Sequence, residues 1–156
     1  MEIAGIARAL HVLAVVVWIG GVAMVTTVLL PALRRRAKAG AQVELLEQLE
    51  SRFAAQARWT TLLAGTSGFW LAWHFDLWTR FAGARYWWMH AMVAVWLLFT
   101  LMLFVVEPLF LHRRLLERSK RDGPGTLTLI QRFHWVLLVL SLVTVFGAVA
   151  GSHGYL

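Results

Sequence analysis

The sequence contains no cysteine. Disulfides, thiolate metal sites, iron–sulfur clusters and covalent haem attachment through a CxxCH motif are therefore excluded, and any metal or haem must be held by His, Met, Asp or Glu. Charge is scarce as well, at 15% of 156 residues against about 25% in an ordinary globular chain. The first residues, MEIAGIAR, lack a basic leader and a small-residue cleavage site, so the apolar run they open is expected to stay as a first span. There is no internal repeat and no low-complexity tract.

What remains is apolar: 60% of residues are hydrophobic and the mean hydropathy is +0.67. Four segments, roughly 3–30, 59–78, 86–111 and 127–150, reach the ~20 residues needed to cross a bilayer. The expected fold is an all-α, single-domain integral membrane protein over residues 1–156, a four-helix bundle of up-down-up-down topology. Residues 41–58, AQVELLEQLESRFAAQAR, carry Leu45, Leu49 and Phe53 on one helical stripe and Glu44, Glu47 and Glu50 elsewhere, which suits an amphipathic cytoplasmic segment.

The net charge of +7 sits in short segments between apolar runs, so it reads as a topology signal and not as a nucleic-acid surface. Arg34, Arg35, Arg36 and Lys38 follow the first span, and Arg113, Arg114, Arg118, Lys120 and Arg121 follow the third, whereas the second loop has only Arg80 and Arg85. Both termini are therefore expected outside, in a multi-pass protein of a bacterial inner membrane. Small residues at Gly20, Gly21, Ala64, Gly68, Ala72 and Gly147 mark expected helix contacts.

With that orientation, His11, His74 and His90 lie at one level near the outer ends of three spans, and His153 lies just beyond the fourth. Lipid offers an imidazole no hydrogen bond, so each must face protein, a cofactor or a wet cavity. His11 and His90 fall on diagonal helices of such a bundle, which suits axial ligation of a b-type haem. Arg8 and Arg85 stand where they could pair with propionates, and Trp18 where it could flank the porphyrin or fill the core. Methionine offers a rival site, in which Met89 and Met92 with His11 and His90, or with His74 and His153, could bind Cu(I). Near the inner side, Arg58, Glu107, Arg132 and His134, with His112, form a second polar group, read as an ion pair of Glu107 with Arg58 or Arg132, a proton relay or a second haem site.

The run from His11 through Trp18, Gly20 and Gly21 to Pro31 resembles the CopD-like family of small membrane proteins. So do Trp87-Trp88-Met89-His90, Glu107-Pro108, Arg132-Phe-His134-Trp135 and the ending Gly151-Ser-His153-Gly154. The resemblance implies a four-helix inner-membrane protein named for copper resistance and uptake, with relatives among the HemJ-type protoporphyrinogen oxidases that bind b-type haem. It carries a functional role to His11 and to His90. The expectation is haem-dependent electron transfer between a membrane carrier such as quinol and an extracytoplasmic acceptor, with a homodimer as one arrangement; copper handling and porphyrinogen oxidation are the alternatives.

Overall fold

The structure is a computed structural model that describes residues 2–35, 39–111, 117–118 and 122–155. Those residues form helices and turns, with no strand among them. Helix α1 (Glu2–Met24) passes through a π-helical turn, Val25–Leu29, into α2 (Leu30–Arg35). Helix α3 (Ala39–His74) leads through two 3-10 turns, Leu77–Ala82 and Ala84–Tyr86, to α4 (Trp87–Leu101). A second π-helical stretch, Met102–Leu111, continues α4, and α5 covers Gly123–Ser152. Several residues of the basic segments, Arg36, Lys38, Arg113, Arg114, Lys120 and Arg121, lie outside the described residues, as do His112 and the side chains of Leu45 and Leu49.

Among the described residues three helical stretches are long and apolar enough to cross a membrane: Glu2–Arg35, Ala84–Leu109 and Pro124–Ser152, with mean hydropathies of 2.4, 2.3 and 2.2. The expected span over 59–78 is not among them. It lies on the C-terminal half of α3, where Thr60, Thr61, Gly65, Thr66, Ser67 and Gly68 dilute the apolar residues. Several of those hydroxyls turn back onto their own helix, Thr60 donating to Gln56 O, Thr66 to Leu62 O and Ser67 to Leu63 O. Such back-bonding satisfies the polar groups without help from water.

The exterior is as apolar as the interior. Val16 is 60% exposed and Phe146 71% exposed, whereas the core is a short column of Ala14, Trp18, Val22, Ala64, Phe99, Leu137 and Leu138. An outer surface of this kind suits lipid and would be a liability in water. Trp18 meets Phe99 edge to face at the centre, with ring centroids 4.8 Å apart.

Helix α1 packs chiefly along α3, and α4 along α5, with smaller contacts of α1 to α5 and of α3 to α4. Glycines make this possible by accepting rings from neighbouring helices. Phe53 sits against Gly21, Trp96 against Gly65, Trp87 against Gly147 and Trp88 against Gly151, and a Cβ at any of the four would lie 2.5 Å from a ring atom. Gly20 differs from the expectation of a contact: nothing lies within 4 Å of the position its Cβ would take.

Local chemistry sets the ends. Asp76, at φ 48° and ψ 49°, takes the left-handed conformation just past α3 and turns the chain. Asp122 caps α5, its Oδ1 accepting from the Gly125 N–H at 2.9 Å, and Pro124 occupies the first turn, where its missing N–H costs nothing.

Candidate functional site

The histidines expected at the outer level have individual partners. His11, half-buried on α1, places Nδ1 2.9 Å from Ala64 O and 3.2 Å from Ser67 Oγ, both on α3. A carbonyl can only accept, so Nδ1 carries the proton and Nε2 keeps its lone pair. The ring lies over Gly68, where a Cβ would come 2.9 Å from His11 Cε1.

His90 is exposed and donates from Nε2 to Phe81 O at 3.0 Å, its ring edge-on to Phe81. His74 is exposed and stacks on Trp70 of its own helix, 4.7 Å between centroids and 8° between planes. His153 donates from Nδ1 to Val149 O at 2.8 Å. Arg8 lies over the Phe75 ring and Arg85 over the Tyr86 ring, at 5.6 and 5.4 Å from the centroids. Met89 is buried and Met92 half-buried. His11 thus sits in the α1–α3 seam, while His90, on α4, bonds to the 3-10 turn Leu77–Ala82; each makes its hydrogen bonds to a different element. Among the described residues no three of His, Asp and Glu converge as a metal site.

Two buried polar atoms in the core have no partner among the described residues, Trp18 Nε1 and Thr61 Oγ1. Neighbouring groups are satisfied: Trp96 Nε1 donates to Thr61 O at 2.9 Å. An orphaned indole N–H on His11's own helix is a feature that the sequence pattern does not reveal.

The second polar group converges more closely. Arg58 Nη2 lies 3.1 Å from Glu107 Oε1, and Arg58 Nε donates to Leu103 O at 3.1 Å. The second bond follows from backbone register. In the i→i+5 pattern of a π-helix, Leu103 O would pair with the N–H of residue 108, which is Pro108 and has none. The guanidinium replaces that missing donor. Arg132 is exposed. His134 donates from Nδ1 to Ile130 O at 2.9 Å, which again leaves Nε2 as a lone pair.

Beside this group lies a cavity of about 310 Å³. Val25 and Leu29 line it from one π-helical turn, Leu103 and Glu107 from the other, with Phe53 of α3 and His134 of α5. The first π turn is marked by Leu30 N–H donating to Val25 O, and the hydroxyls of Thr26 and Thr27 bond back to Val22 O and Ala23 O. Wide turns of this type occur often at functional sites, and here both face one space. Sequence spacing named Glu107 and His134 but not the cavity, because four separate stretches of chain build it. The Arg34–Gln131 hydrogen bond, 2.7 Å, which ties α2 to α5, was also beyond sequence spacing.

Among the described residues the regular structure is all helical and three helices are able to cross a membrane, which points to a membrane protein. In comparisons with known proteins the chain matches no family model, no curated protein and no solved structure.

Proposed function

We propose that this chain is a membrane-embedded b-type haem protein that passes electrons between a quinol-type carrier and an extracytoplasmic acceptor. In this reading α3 crosses the bilayer with the three more apolar spans, both termini face outside and the membrane is a bacterial inner membrane. The observation that carries it is the state of His11. A metal-ligating histidine nearly always gives its second ring nitrogen to a carbonyl or carboxylate, which fixes the tautomer and aims the free lone pair. His11 has that arrangement, with Nδ1 on Ala64 O and Nε2 uncommitted.

The residues fit haem on the His11 side, where the imidazole is anchored and the unpaired Trp18 indole belongs to the same helix. His90 keeps Nε2 on Phe81 O, so Nδ1 would be the nitrogen left for the iron. Bound haem would supply one-electron chemistry; the protein contributes ligation, orientation and a dry surrounding. Arg8 and Arg85 would have to leave their aromatic rings to reach a propionate.

The test is an absorption spectrum of the detergent-solubilised protein, oxidised and then dithionite-reduced, with a pyridine haemochrome count of haem per chain. A b-type spectrum that His11→Ala abolishes supports the reading. A colourless protein after expression with haem precursor refutes it and turns attention to copper analysis.

A further inference from the structure

We propose that the cavity between the two π-helical stretches binds the ring of a lipid-soluble hydroquinone, whose hydroxyls donate hydrogen bonds to His134 and Glu107. The proposal deepens the reading above by giving the membrane carrier a place, and it rests on that reading only for the carrier's redox role.

A lipid acyl chain is the default occupant of an apolar space that opens to the outside of the helices. Such a chain needs no polar wall, and ionisable groups at membrane depth are costly enough to be kept for a purpose. Two polar groups line this space, and both accept. His134 has committed Nδ1–H to Ile130 O and offers only a lone pair at Nε2. Glu107 pairs Oε1 with Arg58 Nη2 at 3.1 Å, which leaves Oε2 to accept from a ligand. Arg58, the nearby donor, is not among the residues that line the cavity, and its Nε and Nη2 point to Leu103 O and Glu107. The matching ligand is therefore an apolar molecule with a hydroxyl to donate. A carbonyl-only molecule of the same shape finds acceptors facing acceptors. The volume, about 310 Å³, is at the small end of ligand pockets, enough for a substituted ring while an apolar tail leaves through the opening.

The experiment uses the full chain in lipid nanodiscs with three probes under anaerobic conditions: a short-tailed benzohydroquinone, its quinone and its dimethyl ether. The expected result is binding of the hydroquinone at least tenfold tighter than of the other two. His134→Phe and Glu107→Gln should each reduce that preference tenfold. A photoreactive hydroquinone on the unaltered protein should label residues within 22–30, 53–57, 99–107 and 129–137, a readout independent of whether a variant folds. Equal binding of the dimethyl ether, or labelling elsewhere, overturns the proposal in favour of an acyl-chain slot. Haem content is read from the same samples, so a haem-free chain that still prefers the hydroquinone keeps the pocket and loses the haem reading, and the reverse result does the opposite.

Discussion

Arg58 and Leu103 are joined across two helices by a hydrogen bond from the guanidinium Nε to a backbone carbonyl, at 3.1 Å. A side chain here completes the hydrogen bonding of another helix's backbone, at a point where Pro108 prevents the helix from doing so itself.

Arg58→Leu should lower stability by about 1–3 kcal/mol, because it strands both the Leu103 carbonyl and the Glu107 carboxylate. Pro108→Ala restores a backbone N–H, so in that background the same substitution should cost about 1 kcal/mol less. Thermal unfolding of the four proteins in one detergent measures the coupling. Additive losses would mean that the proline and the arginine are unrelated.

The glycine gaps differ in a way that a pair of alanines can read. Gly65→Ala puts a Cβ 2.5 Å from the Trp96 indole, which must move off Thr61 O. A loss of about 1–3 kcal/mol is expected from such overpacking. Gly20→Ala meets open space and should leave the unfolding midpoint unchanged or raised.

Gly68→Ala crowds His11 at Cε1 and Nδ1, by 2.9 and 3.2 Å. Under the haem reading, haem per chain should fall by at least half while helix content by circular dichroism is kept. A full haem complement would show that His11 does not need its seat on α3.

Asp122→Ala removes the acceptor for the Gly125 N–H and should cost about 1 kcal/mol, most of it restored by Asp122→Asn. Unfolding midpoints of the two variants decide it.

Hydropathy made three spans legible, since residues such as Val12, Val16 and Val143 present apolar surface on the outside of the helices as well as within. The stretch 59–78 is less apolar than those three, because threonines, a serine and glycines dilute its leucines and aromatic residues. Depth along the helices put His11, His74 and His90 at one level, yet depth does not say which way a ring turns. That depends on neighbours such as Gly68, Trp70 and Phe81, which spacing does not pair with them. Arg58 and Glu107 could be named together because two opposite charges stand near the inner ends of apolar runs. The π register could not be read, since it is decided by which carbonyls find donors once the helices are packed.

The rings seated in glycine gaps also restrict how the helices can move. A helix residue advances about 1.5 Å along its axis, so sliding one helix past another by a single residue would drive an indole from its gap into a flanking turn. Trp96 at Gly65, Trp87 at Gly147 and Trp88 at Gly151 act as pegs against that piston motion. Tilting about those pegs remains free, so any conformational change in this protein should rock its helices and leave their axial alignment intact.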